Sequence, residues 1–572
     1  MTVPIQSGAL ISETSRHTLS SSRVRAPRGW MITTLAVAFI VCLPILSVLY
    51  VALFPEENIW PHLIDTVLPR YIRTTLQLLI GVGILTFVFG VTSAWLISMC
   101  RFPGRKLFEW ALLLPFAVPA YVIAYVYTDM LEYSGWVQTG LRDWFGWQSA
   151  RDYWFPEIRS LGGAILMLSL VLYPYVYMLS RAAFMEQSQS LLMASRSLGC
   201  SPWKSFWRVS LPVTRPAIAI GLTLVLLETL NDFGTVDYFA VQTLTQGLFD
   251  TWLNMGNIGG AAQIACCMLL FVCFFIWLER RSRARQKHYQ SADRYKNLPR
   301  YHLKGLKAAL ATLFCLALIT LGFLIPFYIL ANYAYQYFEQ SFTSDFISHA
   351  RNSFLLSGLA ALATIAIGLI LTYARRLNRH RAVRAVVAVS SLGYAMPGAV
   401  LAIGVLVPFA AFDNTLDGFL RQHFGVSSGL LLSGTLFAVL FAYVVRFLAV
   451  SAGALQAGLD QITPSMDMAA QSLGSRPTGV LFRIHIPLLR RSMVTAAIIV
   501  FVDCMKELPA TLILRPFNFE TLATHVHQYA THELIKESAL GALVIVGLGL
   551  IPVILLNRSM SSAKKGEQIQ RL

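Results

Sequence analysis

The sequence is poor in charge, and poorest in acidic residues. Of its 572 residues, 13% are Asp, Glu, Lys or Arg and 56% are hydrophobic. There are 29 acidic and 46 basic side chains. Soluble domains carry about a quarter of their residues as charges, so this composition excludes an ordinary soluble protein. A net charge of +17 is compatible with binding to nucleic acid. In so apolar a chain, however, it indicates basic loops on the cytoplasmic side of a membrane.

Several motifs are also missing. No G-x-x-x-x-G-K-[ST] loop occurs, so we do not expect the chain to bind ATP by itself. HELIK at 532–536 is not H-E-x-x-H, so a zinc-protease site has no support. The eight cysteines include no C-x-x-C pair and predict free thiols. No set of nucleophile, base or metal ligands stands out, which disfavours a membrane enzyme.

Long apolar runs dominate what is present. A bilayer core of about 30 Å needs roughly 20 apolar residues per helix, and this rule predicts an all-α polytopic membrane protein with about twelve spans. The predicted spans are 30–53, 74–99, 107–130, 161–183, 215–237, 260–279, 306–331, 352–374, 385–411, 428–452, 492–514 and 538–557.

Basic residues are distributed unevenly between the two sides. With the N-terminus inside, the inner segments include nine Lys and Arg between 280 and 304 and five between 375 and 384. The outer loops hold few, such as Arg142, Arg151 and Arg421. This asymmetry predicts that both termini are cytoplasmic.

The chain divides into two halves of six spans. Residues 280–304 form a polar, basic linker without a sustained apolar face. Because six is even, the two halves share one orientation in the membrane and are related by an axis along its normal. The predicted organisation is an N-terminal tail (1–29), a first half (30–279), the linker (280–304), a second half (305–558) and a C-terminal tail (559–572).

An amphipathic stretch recurs once in each half. SLGCSPWKSFWRVSLP at 197–212 returns as SLGSRPTGVLFRIHIP at 472–487, an offset of 275 residues. In each copy a glycine allows a sharp turn, one proline suits the start of a short helix, and a second proline is expected to end that helix. A single copy could simply rest on lipid, but two copies at equivalent positions favour docking to a cytoplasmic partner.

These stretches resemble the EAA loops of binding-protein-dependent ABC importer permeases. The resemblance covers ASRSLGCSPWKSFWRVSLP at 194–212 and AAQSLGSRPTGVLFRIHIP at 469–487, within loops spanning 186–212 and 461–487. Met193 and Met468 stand where the family motif opens with Glu. The implied ATPase-coupling residues are Ala194, Gly199, Pro202, Trp203, Phe206, Trp207, Arg208, Pro212, Ala469, Gly474, Pro477, Leu481, Phe482, Arg483 and Pro487.

That resemblance implies a permease subunit of the bacterial inner membrane. Its implied partners are two cytoplasmic ABC ATPase subunits, which use the ATP, and a periplasmic substrate-binding protein; the chain itself would bind no cofactor. A major-facilitator type of secondary transporter also has twelve helices in two parallel halves, but that design gives no reason for Gly- and Pro-punctuated loops after helices four and ten.

Two further stretches narrow the resemblance to the ferric-iron permeases. They are ETLNDFGTVDYFAVQTLTQGLFDTW at 228–252 and DCMKELPATLILRPFNFETLAT at 503–524. The implied function is import of ferric iron by alternating access. Thiamine and aminoethylphosphonate permeases are related and remain alternatives.

Four carboxylates in these stretches repeat at the same offset. Glu228 corresponds to Asp503 and Asp232 to Glu507, so each half carries two carboxylates on one helix face. Ionisable groups inside a span cost at least about 2.5 to 3.5 kcal/mol, which favours a lining of the translocation path, whose oxygen ligands suit a hard cation. The alternative is local pairing, for example with Lys506, or a position near the outer interface.

Other polar residues in the spans and loops are assigned ordinary roles. Asp237 and Arg446 are interpreted as interfacial or structural. The segment HVHQYATHE at 525–533 could bind a metal transiently, although interfacial histidines beside a tyrosine belt are favoured. No certain metal site is predicted.

Overall fold

The computed structural model describes residues 28–187, 189–284, 300–377 and 391–569. These ranges are almost wholly helical, and their only strands are Cys100–Arg101 and Tyr301–His302, which pair in parallel. The end of the linker is thereby attached to the loop after the second span. The predicted all-α polytopic class is confirmed.

Ten helices in the described ranges are long and apolar enough to cross a membrane, or eleven if one bent pair counts as a span. The ten are Gly29–Leu53, Leu68–Met99, Leu161–Met185, Pro202–Asn231, Ile258–Ser282, Leu306–Gln336, Ser344–Leu377, Gly398–Phe424, Leu436–Asp460 and Ile535–Leu555. The bent pair is Arg105–Ala117 with Ala120–Phe145. Each of the ten helices, and the bent pair, overlaps one predicted span. The remaining predicted span, 492–514, overlaps the helix Ile486–Met505. We therefore number the helices 1 to 12 in the predicted order.

Shorter elements connect these helices. The α-helical ones are Trp60–Asp65, Gln189–Ser197, Pro202–Ser205, Gly234–Tyr238, Leu244–Phe249, Phe338–Ser341, Pro464–Ser472, Pro477–Val480, Pro509–Leu514 and Leu522–Thr531. The 3-10 turns are Leu114–Ala117 and Ser391–Ala395, and the π turns are Phe206–Ser210, Asp250–Asn254, Thr320–Leu324 and Leu481–His485.

Four of the predicted spans are broken in the structure rather than continuous. Helix 3 bends by 89° where Pro119 separates its two parts, and helix 9 begins only after Pro397. Each proline is the N-cap of the helix that follows, with ψ of 144° and 139°, and a proline disfavours the helical conformation in the residue before it. Helix 5 ends at Asn231 and helix 11 at Met505, so the predictions 215–237 and 492–514 ran too far. Residues 385–390 of the ninth predicted span lie outside the described residues.

The first helix of each half packs against the opposite half. A Cβ added to Gly404 of helix 9 would lie 2.4 Å from the carbonyl oxygen of Pro44 in helix 1. A Cβ added to Gly322 of helix 7 would lie 2.8 Å from Pro115 and 3.0 Å from the carbonyl oxygen of Leu170, both in the first half. The two largest apolar cores likewise mix residues of both halves. The two halves therefore pack directly against each other, and we call the interface between them the seam.

Candidate functional site: two surface loops and a polar central cavity

The two EAA-like loops have the same backbone. In the first, the helix Gln189–Ser197 is followed by Gly199, whose φ is 74°, and in the second Gly474 has φ of 79°. The N–H of Cys200 donates to the carbonyl of Ser195 at 3.0 Å, and the second loop repeats this bond at the same length. An added Cβ would meet nothing within 4 Å at either glycine. Glycine is therefore favoured by the left-handed backbone and not by crowding.

The second proline of each loop does not end a helix, contrary to the sequence prediction. Within helix 5, the short helix Pro202–Ser205 runs through the π turn Phe206–Ser210 directly into the α-helix Leu211–Asn231, and Pro212 lies in the first turn of this last part. Pro487 occupies the same place in helix 11. A π turn leaves a carbonyl without its usual helical donor, so a proline, which has no N–H, follows it without losing a bond. Each loop is thus joined rigidly to the helix that leads to the cavity.

The predicted coupling residues differ in exposure. Phe206 and Leu481 are buried, at 7% and 6% exposure, whereas Trp203, Trp207 and Phe482 are 61%, 50% and 66% exposed. Phe206 packs edge-to-face on Trp95, with ring centroids 5.4 Å apart. The other exposed ones are Ala194, Gly199, Pro202, Arg208, Ala469, Gly474, Arg483 and Pro487, while Pro212 and Pro477 are half-buried. Phe206 and Leu481 anchor the loops, and the exposed aromatic rings form an apolar surface on them.

A polar cluster that the sequence did not reveal holds the second loop. Nε of Arg376 lies 2.7 Å from a carboxylate oxygen of Asp467, and Nε2 of His485 lies 2.8 Å from the other. The hydroxyl of Tyr373 donates to the carbonyl of Pro477 at 2.6 Å. His485 is completely buried, and this burial lowers the pKa of its imidazole, although Asp467 acts in the opposite direction. Asp467 is therefore engaged within its own chain.

A central cavity of about 120 Å³ lies where the four broken helices meet. All four predicted carboxylates line it, together with further polar residues, among which the sequence interpretation had not singled out Asn231 or the tyrosines. The polar lining residues are Glu228, Asp232, Asp503, Glu507, Asn231, Arg446, Lys506, Tyr121, Tyr175 and Tyr394. Both halves contribute to this set.

Asp232 caps the short helix that follows the break in helix 5. Its carboxylate accepts from the N–H of Thr235 at 3.1 Å and of Val236 at 3.2 Å, and from the Thr235 hydroxyl at 3.0 Å. These backbone donors belong to the first turn of Gly234–Tyr238, where N–H groups have no helical partner. Both carboxylate oxygens of Asp232 therefore accept hydrogen bonds that stabilise the break in helix 5.

Glu507 has the same role in the second half. It accepts from the N–H of Ala510 and of Thr511, each at 3.1 Å, and from the Thr511 hydroxyl at 2.7 Å. It also pairs with Arg446, whose Nη1 lies 3.3 Å from Oε1. Glu507 and Arg446 are 4% and 7% exposed. Arg446 therefore belongs to the cavity wall, where its buried ion pair is compatible with the structural role that the sequence suggested.

The other two carboxylates are bound differently from each other. Asp503 lies 3.0 Å from Nζ of Lys506, the local pairing that was the alternative to a path lining. Glu228 instead accepts from the hydroxyl of Tyr394, a residue of the opposite half, at 3.0 Å. Lys506 also lies over the ring of Phe116, 4.7 Å from its centroid.

Asn231 joins the two halves beside these carboxylates. Its amide oxygen accepts from the N–H of Gly398 at 2.5 Å and from Nη1 of Arg446 at 3.1 Å. A side-chain amide of one half thus holds the helix 9 break of the other. No sequence signal singles it out, because an Asn near a helix end usually serves its own backbone.

The histidine segment 525–533 does not form a metal cage. His527 is buried, with Nδ1 2.6 Å from the hydroxyl of Tyr125 and Nε2 3.6 Å from Asp237, while His525 is half-buried and His532 exposed. Across the described ranges, no three His, Cys, Asp or Glu side chains are placed to hold a metal ion together. His527 and Asp237 instead link the two halves.

Comparison with known proteins gives a consistent assignment. Residues 86–288 match the family described as binding-protein-dependent transport system inner membrane component. The Fe(3+)-transport system permease protein FbpB 2 of Haemophilus influenzae is 26% identical over 548 residues, which cover 93% of this chain and 99% of that protein. The ferric transport system permease protein FbpB of Actinobacillus pleuropneumoniae is 23% identical over 84% of this chain and 70% of its own.

More distant similarities cover part of the chain. The molybdenum transport system permease protein ModB of Escherichia coli is 28% identical over 34% of this chain and 87% of its own length. A solved bacterial alginate ABC transporter, in complex with an alginate pentasaccharide-bound periplasmic protein, aligns with 44% of this chain and 92% of its own at a TM-score of 0.34 and 16% identity.

The chain is thus a helical membrane protein with two equivalent surface loops and a polar cavity at the seam of its halves. The relatives that span nearly its whole length are permeases of one kind. Residues 86–288 therefore match the inner-membrane components of binding-protein-dependent transport systems, and the chain is similar over nearly its whole length to a ferric-iron transport permease.

Proposed function

We propose that this chain is the membrane-spanning subunit of an ATP-driven importer that carries ferric iron from a periplasmic binding protein to the cytoplasm. The observation that carries the proposal is the central cavity, where carboxylates of both halves meet. Oxygen ligands suit a hard cation, and the relatives of nearly full length are named ferric permeases. The carboxylates would meet the cation in passing and would not enclose it.

In this proposal two ATPase subunits bind the paired loops from the cytoplasm. Trp203, Trp207 and Phe482 supply exposed aromatic contacts of the kind that dominate protein interfaces. Since the π turns join the loops to helices 5 and 11, movement of the ATPases would tilt these helices and the cavity wall. Both termini, the linker 280–304 and the loops would then lie in the cytoplasm.

An oxyanion or phosphonate is the second candidate cargo. Two cations, Arg446 and Lys506, line the cavity, and the partly matching ModB is a molybdenum permease. Each of these cations already pairs with a carboxylate, Glu507 or Asp503, which leaves little positive charge for an anion. The cavity therefore favours a cation.

An ATPase assay on the assembled importer tests the proposal. The purified chain alone should hydrolyse no ATP, and the complex with its ATPase subunits should be stimulated by the binding protein loaded with ferric iron. Stimulation only by a phosphonate- or thiamine-loaded binding protein would overturn the choice of cargo. ATP hydrolysis by the isolated chain, free of contaminating ATPase, would overturn the proposal that separate subunits hydrolyse the ATP.

A further inference from the structure

Glu228 differs from the other three carboxylates of the cavity in its partners. Asp232 and Glu507 cap helices, and Asp503 pairs with Lys506. Among the described residues no Lys, Arg or His forms an ion pair with Glu228, and its one hydrogen bond comes from Tyr394. Glu228 is therefore the carboxylate with charge left to offer a ligand.

Three tyrosines line the same cavity. Tyr394 and Tyr175 line it beside Glu228 and are close enough to interact through their hydroxyls. Tyr121 lines it as well, is 5% exposed, and its buried hydroxyl has no hydrogen-bond partner among the described residues. A buried hydroxyl without a partner is unfavourable unless something else binds it. Its place in the cavity wall means that a cargo could be that partner.

The site is not repeated by the internal symmetry. Near the paired prolines Pro119 and Pro397 the two halves are 278 residues apart, and at that offset the counterpart of Tyr394 is Phe116. Phe116 has no hydroxyl, and Lys506 lies over its ring. Asp503, the counterpart of Glu228, is occupied by the same lysine. On one side of the cavity the carboxylate, Glu228, has no cationic partner and can act as an oxygen ligand. On the other side the carboxylate, Asp503, is neutralised by Lys506.

We propose that Glu228, Tyr394 and Tyr121 form a binding site for a hard multivalent cation at the seam between the two halves. This inference rests on the proposed function and names the point where the cargo is held. Carboxylate and phenol oxygens are hard donors, which favour such cations over soft ones. Glu228 and Tyr121 come from the first half and Tyr394 from the second, so relative movement of the halves would separate the donors and release the cation.

Terbium(III), a hard trivalent ion whose luminescence is sensitised by nearby tyrosine, is a suitable probe. The purified full-length chain in detergent should bind it, show emission on excitation of tyrosine, and lose that emission when ferric citrate is added. Glu228→Gln and Tyr394→Phe should each weaken terbium binding by about tenfold or more. Glu228→Asp, which keeps the carboxylate, should retain part of it.

The chain offers a matched control outside the cavity. Tyr333 donates to Asp129 at 2.5 Å, so it is another carboxylate and phenol pair, and Asp129→Asn with Tyr333→Phe should leave the cavity signal intact. Asp503→Asn tests a carboxylate of the same cavity that already has a cation, and its effect should be smaller than that of Glu228→Gln. Monodisperse elution of every variant excludes misfolding as the cause of a loss.

The outcomes separate this inference from the proposed function. Equal terbium emission in wild type, Glu228→Gln and Tyr394→Phe, or equal loss in the Asp129 and Tyr333 control, would overturn the site even if the complex transports iron. Terbium binding that depends on Glu228 in a complex that transports no iron would keep the site and reject iron as the cargo.

Discussion

Nη1 of Arg446 and Oε1 of Glu507 lie 3.3 Å apart inside the cavity wall, with both side chains almost fully buried. Asn231 of the first half also accepts from that arginine, so the pair ties the helix 11 break to the opposite half. Removing one member of a buried pair leaves an uncompensated charge.

Glu507→Gln should therefore destabilise the chain and not merely slow transport. We expect a loss of about 3 to 5 kcal/mol, seen as a lower thermal midpoint in detergent and lower membrane abundance. Glu533→Gln, at an exposed position, serves as the control. Wild-type stability with reduced uptake in Glu507→Gln would instead make Glu507 a cargo ligand.

Asp232→Asn should show a milder form of the same defect. An amide offers one acceptor oxygen, whereas both carboxylate oxygens of Asp232 now accept hydrogen bonds, and loss of a helix cap costs about 1 kcal/mol. Thermal unfolding of the purified variant measures this. A severe transport defect at unchanged stability would contradict the capping role.

Gly474→Ala should uncouple ATP hydrolysis from transport while the chain still inserts into the membrane. A non-glycine residue at φ of 79° carries strain of about 1 to 3 kcal/mol, which would shift the docking loop. Gly425→Ala is the matched control, because Gly425 has φ of 68° and open space but follows helix 9 and not helix 10. If both variants uncouple ATP hydrolysis from transport equally, the effect is due to backbone strain in general and not to the position of the loop.

Trp203→Ala and Phe482→Ala should each weaken assembly with the ATPase subunits. These rings are exposed in the isolated chain, and a buried aromatic anchor contributes about 2 kcal/mol or more to an interface. Co-purification of tagged chain and ATPase measures the effect, with Trp144→Ala, 85% exposed near the end of helix 3, as the control. Undiminished co-purification in the double variant would remove the docking surface.

The second loop should loosen in acid because of His485. Its folded-state pKa is lowered by burial, so the unfolded chain takes up a proton first as the pH falls through about 6.5. The stability that neutral His485 gives beside Asp467, Arg376 and Tyr373 is therefore complete above that pH and declines below it. Thermal midpoints of His485→Gln should fall less steeply with pH than those of wild type, whereas exposed His423→Gln should follow wild type.

The sequence predicted the elements that repeat. The 275-residue offset located both loops and paired Glu228 with Asp503 and Asp232 with Glu507, and the structure brings all four carboxylates to one cavity. Repetition is informative because two halves in one orientation place equivalent residues around a common axis.

The helix breaks and the contacts across the seam were not predictable in the same way. A count of apolar residues does not register the bend at Pro119, since the residues on both sides remain hydrophobic. Tyr394 stands in an apolar run where a tyrosine is equally typical of a core or an interfacial belt. Its partner Glu228 lies 166 residues away in the other half, a contact that no local pattern can indicate.

Transport by the reconstituted importer tests the central claim most directly. The chain, its ATPase subunits and its binding protein are placed in liposomes with radiolabelled ferric iron, and accumulation is followed with and without ATP. We predict iron uptake that requires both ATP and the binding protein. ATP-dependent accumulation of thiamine or a phosphonate without iron, or iron uptake in the absence of the ATPase subunits, would contradict it.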